Sequence, residues 1–348
     1  MSETPSEDPV LGRLTESRVG KGDTTSELAA WGGKPAAPVP GAAWYGGFAF
    51  EPARLSNGLA TDRQWATFDF TSVLLRGFCD LDIVREALAD DGVFPVGAVP
   101  AGDTKPRAMA TIWLNVIHDS VCGRYHEVVL SFDVSLTQPD AVAFREGGLV
   151  AAPWALQYAN FGPSVCDGQL LHSLWIDSPL SITWGREMQA FPKHPKPVKS
   201  TLTDDASAFA FDLSWDGRNV MRGRLAKRFG LAGFVRQGVG LVTANNPVGV
   251  TRFLASRAFD IPIVMPAKTA AQNGVPRRYV GHLWKGLDPF AVQVWRWSEG
   301  DTLELGDIEI PTGCEDHNGH ALLARAGFQP VSVTYIAHAG AVVEAVRA

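Results

Sequence analysis

Lys193 and His194 stand in the segment Phe191-Pro192-Lys193-His194-Pro195-Lys196, with a proline on each side of the pair. Proline fixes its own φ and pushes the preceding residue towards extended geometry. The pair is therefore presented from an extended or irregular segment and not from a helix interior. Met188, Ala190 and Phe191 give the lysine an apolar setting. Burial disfavours an ammonium ion, and a lysine with a depressed pKa carries a neutral amine that attacks a carbonyl to form a Schiff base. The same residues also describe a surface loop of lysines among prolines, since most lysines are solvated. Residue chemistry alone leaves both readings open.

The longer stretch Gly185-Arg186-Glu187-Met188-Gln189-Ala190-Phe191-Pro192-Lys193 resembles the active-site motif of the acetoacetate decarboxylase family. In that family the lysine after the proline forms the Schiff base, and acetoacetate decarboxylase is itself a standard instance of an activated lysine. Further pieces follow in family order. His118-Asp119 precede Tyr125-His126-Glu127, and Leu303-Glu304-Leu305 and Pro330-Val331-Ser332-Val333 stand near the C-terminus. The resemblance covers residues 65–345.

What it implies is specific. Lys193 is the nucleophile, and Glu127 is an acid on a strand, placed for proton transfer. Arg186 and Glu187 match the motif and are expected at the substrate site, or as a pair that holds the lysine loop. His194 replaces the family's second lysine and is expected as a proton shuttle or substrate contact. An imidazole lowers a neighbouring ammonium's pKa less than a fixed cation does, and Lys196 is the other candidate for that cation. Phe68 stands near a family arginine and Trp113 near a family acid. Both are expected to line a pocket that is larger in apolar area and lacks an anion clamp for a small β-keto acid.

These residues need elements to position them. Trp65–Phe78, Ala110–His118 and Tyr125–Leu136 read as strands, as does Leu171–Trp184 with a bend at Pro179. Leu81, Val84 and Leu88 recur at helical spacing, and Asp90-Asp91-Gly92 closes that helix. Phe209–Leu225 reads as a hairpin turning at Asp216-Gly217. Further strands are expected at Gly240–Thr243, Phe259–Met265, Tyr279–Trp284, Phe290–Trp297, Leu303–Ile310 and Val331–Ala337. The fold class expected is mainly β (β-rich α+β): an antiparallel sheet closed into a barrel or cone of acetoacetate decarboxylase type, with a few flanking helices. Residues 1–43 are poor in large apolar side chains and read as an extended or disordered arm. Residues 44–348 form the domain, with insertions near 137–168 and 306–325.

Composition narrows the function. The chain has 348 residues, 46% of them hydrophobic, with a net charge of −6. No basic footprint points to nucleic acid, and no long apolar run or signal peptide points to a membrane. A cytoplasmic, homo-oligomeric protein is expected. The four scattered cysteines read as free thiols. Cys314-Glu315-Asp316-His317-Asn318-Gly319-His320 has metal-ligating residue types but no distant partner motif, so no metal and no cofactor are expected. The resulting expectation is a Schiff-base lyase acting on a small-molecule carbonyl compound bulkier or less anionic than acetoacetate. Aldol or retro-aldol chemistry, dehydration and decarboxylation are all compatible. Alternatives on the same fold are a non-covalent binder of an apolar molecule, and an acid/base isomerase or cyclase.

Overall fold

The computed structural model describes residues 42–100, 103–137, 142–144, 166–196, 198–205, 207–227, 258–284, 292–311 and 318–346. The expected N-terminal arm and the strand at Gly240–Thr243 lie outside these residues, as do most of the 137–168 insertion and Cys314–His317.

The long strands are β1 (Trp65–Cys79), β2 (Arg107–Ser120), β3 (Tyr125–Ser135) and β4 (Gly168–Ile176). The lysine segment forms the short β5 (Lys193–Pro195). β6 (Lys199–Asp204), β7 (Ala208–Trp215) and β8 (Arg218–Ala226) follow. β9 (Ala258–Val264), β10 (Arg278–Trp284), β11 (Val292–Arg296), β12 (Thr302–Leu305) and β13 (Gln329–Ala345) complete the set. The helices are short: α1 (Ala42–Tyr45), α2 (Leu81–Ala87), α3 (Pro179–Gln189), α4 (Ala267–Asn273) and α5 (Gly319–Arg325). The protein is thus mainly β with few helices.

Ladders run in the order β3-β4-β9-β10-β13-β1-β2, and β2 pairs in turn with β3, so the run returns to its starting strand. The β4–β9 ladder is parallel and the others are antiparallel. A second sheet, β6-β7-β8-β12, contains the expected hairpin, with Asp216 and Gly217 both at positive φ in its turn.

Alternation assigns the two faces of the main sheet. Ile112, Leu114 and Val116 of β2, with Val128 and Leu130 of β3, pack against Phe209, Phe211 and Leu213 of the second sheet. Ile117, Val129, Leu174, Ile261 and Leu283 point the other way, into a separate core. Register shifts interrupt this pattern. β1 shifts register around Asp69, and β13 shifts between Ile336 and Ala339. A bulge inserts one residue and reverses which side chains face the core.

Leu171–Trp184 is not one strand. β4 ends at Ile176, and Pro179–Gln189 is a helix. The reason is local. Ser178 caps the N-terminus by accepting from the Ser181 N–H, and Pro179 occupies the first turn, where its missing N–H costs nothing. Leu303–Ile310 also shortens, to β12 alone. β13 is longer than Val331–Ala337.

Candidate functional site

Helix α3 and its exit place Lys193. The helix ends in a left-handed turn: Ala190 takes a φ of 53°, its N–H donates to Arg186 O, and the Phe191 N–H donates to Gly185 O. The chain then reverses into β5, which pairs in parallel with the end of β4, Lys193 opposite Leu174. Leu174 in turn stands opposite Val129 of β3. Lys193, Leu174 and Val129 therefore share a row, and all three line a cavity of about 100 Å³.

The cavity wall is mostly apolar. Trp65, Phe70, Trp113, Phe191, Ile263 and Leu283 contribute most of the large side chains. The polar lining groups are Asn115, Glu127, Gln169 and Lys193, and among the described residues Lys193 is its one cation. Lys193 is 3% exposed. Its Nζ donates to Ser181 Oγ at 3.1 Å, lies 3.9 Å from Glu127 Oε2, and sits 5.5 Å from the centre of the Trp65 ring. Burial holds the ammonium below the ordinary lysine range, while the Glu127 carboxylate, and after it Cys122, act in the opposite direction.

Glu127 is itself held. Asn115 Nδ2 donates to Glu127 Oε1 at 3.1 Å, and Ser72 Oγ donates to Asn115 Oδ1 at 2.5 Å. The three residues lie on adjacent strands, Ser72 opposite Asn115 and Asn115 opposite Glu127. Oε2 is left directed at the lysine.

Gly185 makes room for the lysine chain. It lies one helical turn after Ser181, so the two residues share a face. A Cβ at Gly185 would stand 2.3 Å from Lys193 Cδ and 2.6 Å from Cε. Around it, α3 is tied down on several sides. Trp184 Nε1 donates to Thr61 Oγ1 at 2.9 Å, and Gln189 Nε2 donates to Val343 O at 3.1 Å.

The other expected site residues fall differently. Trp113 lines the cavity, its Nε1 donating to Ser131 Oγ at 3.1 Å. Phe68 does not: it packs with Tyr45, Ala66 and Val342. The bulge at Asp69 is the cause, for it keeps Phe68 on the face of Ala66 and turns Phe70 into the cavity. His194 alternates away from Lys193 and lies outside the lining; Arg186 Nη2 is 3.1 Å from its Nδ1. Arg186 Nε donates to Lys193 O at 2.7 Å, so this arginine braces the loop from behind and does not reach the substrate space. Glu187 is on the outer side of α3, where it accepts from Ser56 N at 2.7 Å and Ser56 Oγ at 2.5 Å. It holds the loop at 55–59 and is not among the residues that line the cavity. Lys196 pairs with Asp177 at 3.4 Å and donates to Ser200, on the side away from the cavity. The depression at Lys193 is thus one of burial, not of a neighbouring cation. His320 is buried, its Nε2 2.6 Å from Ile308 O.

Sequence reasoning missed Ser181, Gly185, Asn115, Trp65 and Phe70. The Ser178-Pro179 pair, read as a helix start, is the signal that would have placed Ser181 and Gly185 on one helix face.

No family model and no curated protein matches the sequence. Three solved structures are similar to the chain. One is a structure from structural studies of acetoacetate decarboxylase, 16% identical, covering 81% of this chain and 88% of that one, with a TM-score of 0.42. The acetoacetate decarboxylase from Legionella pneumophila is 11% identical, covering 81% and 84%, also with a TM-score of 0.42. The third is the enduracididine biosynthesis enzyme MppR, complexed with the condensation product of pyruvate and imidazole 4-carboxaldehyde. It is 14% identical, covering 82% and 88%, with a TM-score of 0.37.

Proposed function

We propose that the chain is an enzyme in which Lys193 condenses with the carbonyl group of a small, weakly charged keto compound or aldehyde. The observation that carries this reading is the buried Nζ in a mostly apolar cavity, 3.9 Å from one carboxylate and, among the described residues, beside no other lining cation. Burial raises the fraction of neutral amine, which is the form that attacks. The amine nitrogen bonds to the carbonyl carbon and gives one proton to the carbonyl oxygen; a second proton reaches that oxygen from solvent, and it leaves as water to give the iminium. Glu127 is the group in reach to move protons between the nitrogen, the departing oxygen and the adjacent carbon. The iminium then draws electrons from the neighbouring bond, which breaks or forms as a carbon–carbon or carbon–oxygen bond.

Aldol-type or dehydrating chemistry suits the lining better than decarboxylation. A substrate carboxylate would find no arginine among the described lining residues, and its charge would compete with Glu127 for Lys193. An apolar cavity of about 150 Å³ takes up benzene. One of about 100 Å³ fits a comparable or smaller reacting group, and any bulkier part of the substrate extends towards solvent. We further read the returning run of ladders as a closed barrel whose interior is this cavity. The Glu127 charge beside Lys193 favours a second reading, in which a retained ammonium only polarises a carbonyl for acid/base isomerisation.

Trapping separates the two. Small ketones and aldehydes are incubated with the protein and borohydride, and the adduct is mapped by mass spectrometry. A reduced adduct at Lys193 that is absent in Lys193→Ala supports the Schiff base. Turnover without any adduct, lost in Lys193→Ala, supports the polarising role. Adducts spread over surface lysines, equally in the variant, would overturn both.

A further inference from the structure

We infer that Asp69, His118 and His338 form a binding site for one divalent transition-metal ion of the zinc class, between three strands and away from the lysine cavity. One ligand atom from each of the three residues lies within 4.8 Å of the others. Two imidazoles and a carboxylate are a donor set that suits such ions. Around a tetrahedral ion with bonds of about 2.0–2.1 Å, ligand atoms sit about 3.3 Å apart. His338 Nδ1 and Asp69 Oδ1 are already 3.0 Å apart, and the two imidazole rings are stacked with centres 5.4 Å apart. Binding therefore needs a small contraction of the third corner.

The backbone is shaped for this convergence. Asp69 sits at the bulge of β1 and His338 at the bulge of β13, and His118 is on β2 beside them. His338 takes a φ of 49°, a left-handed conformation uncommon for a non-glycine residue and costly enough to call for a reason. Asp69 is fully buried, and among the described residues its Oδ2 has no hydrogen-bond partner. A buried carboxylate oxygen without a donor is expensive, and a cation is one way to satisfy it. Thr71 Oγ1, 3.0 Å from His118 Nε2, holds that ring. The surrounding charges are Asp119, opposite Asp69 across the ladder, and Arg124, whose Nε donates to His118 O at 2.8 Å. The side chain of His338 is 27% exposed, which gives the ion an entry path and leaves room for a water ligand.

Phe70 and Ile117, the neighbours of Asp69 and His118, face the lysine cavity. The ion's effect is to pin three strands behind that wall. The test uses the full chain, stripped with a chelator and dialysed. Co²⁺ is titrated as a visible-absorbing probe, then displaced with Zn²⁺. The expected result is saturation at one equivalent with d–d absorption, and a higher melting temperature with Zn²⁺ than with chelator. His338→Gly keeps the left-handed backbone and removes a ligand; it should weaken binding about tenfold or more and abolish the melting shift. His118→Gln should do the same. No saturable Co²⁺ spectrum in the wild-type chain would overturn the site, as would equal affinity in the wild-type chain and His338→Gly.

Discussion

Adding one methyl group at Gly185 tests the proposed chemistry without touching a polar atom. In Gly185→Ala the new Cβ would meet Lys193 Cδ at 2.3 Å, Cε at 2.6 Å and Cγ at 3.2 Å. Carbon atoms settle about 3.5–4.0 Å apart, so Cδ must retreat by about 1.2 Å or more. The clash is with the middle of the side chain, which is buried and cannot swing into solvent. Nζ must then leave its place 3.1 Å from Ser181 Oγ and 3.9 Å from Glu127 Oε2. A misplacement of about 1 Å costs roughly 100-fold in a positioned reaction. Stability should change far less. Alanine gains about 0.5–1 kcal/mol over glycine within a helix, and overpacking costs about 1–3 kcal/mol. The assay is the initial rate of borohydride-trapped adduct at Lys193, alongside urea denaturation. The expected result is a rate about 100-fold lower in a protein destabilised by no more than about 2 kcal/mol. In a Lys193→Ala background the same methyl group has no side chain to strike, so Gly185→Ala should there be neutral or stabilising. Wild-type trapping in the single variant would refute the idea that the position of this lysine chain limits the reaction.

Other outcomes follow from the same site. Trapping should rise with pH through a midpoint below the ordinary lysine value, because burial depresses Lys193; Glu127→Gln removes an influence in the opposite direction, so the midpoint should fall further, and an upward shift would contradict the assignment. In that variant turnover should also drop by roughly 10²–10⁴, the usual worth of a positioned acid or base. The depressed pKa has a stability counterpart: between the folded and unfolded values the unfolded chain binds more protons, so stability rises with pH there, and Lys193→Met should flatten that slope in melting curves taken from pH 7 to 10. His194→Ala should leave trapping within a few-fold of wild type and cost about 1 kcal/mol through its lost contact with Arg186. Arg76 and Asp133 form a buried ion pair on β1 and β3, and Arg76→Met should cost about 3–5 kcal/mol by stranding the carboxylate, measured by urea denaturation.

Strand periodicity made much of the sheet legible. Trp65–Phe78, Ala110–His118 and Tyr125–Leu136 lie within or close to β1, β2 and β3, and the Asp216-Gly217 turn stands where its residue types require it. Periodicity failed where the backbone departs from it. Phe68 and Phe70 are two residues apart and look equivalent; the bulge at Asp69 is not written in residue types, and it sends them to different places. Helix α3 was misread because its apolar residues, such as Ile182 and Trp184, suit a strand, while the cap at Ser178 and Pro179 decides the matter. The prolines and apolar neighbours of Lys193 fit a surface loop as well as a buried lysine, and its burial comes from the helix exit and the β5–β4 pairing. His194, Arg186 and Glu187 share its motif, but alternation and helix geometry carry them to other faces. Asp69, His118 and His338 were invisible as a group, since only pairing among three distant strands brings them together.

The C-terminal strand bears on how the molecule is made. β13 pairs along one edge with β1, the first long strand, and along the other with β11 and β10. During synthesis β1 emerges long before β13 and waits for it as a partner. Its apolar edge stays open meanwhile, the condition under which chains with long-range pairings fold slowly and associate wrongly. The wall that carries Trp65 and Phe70 is therefore completed only once β13 has been made, and the lysine cavity, lined in part by Ala341 and Val343, cannot form on a nascent chain that lacks it.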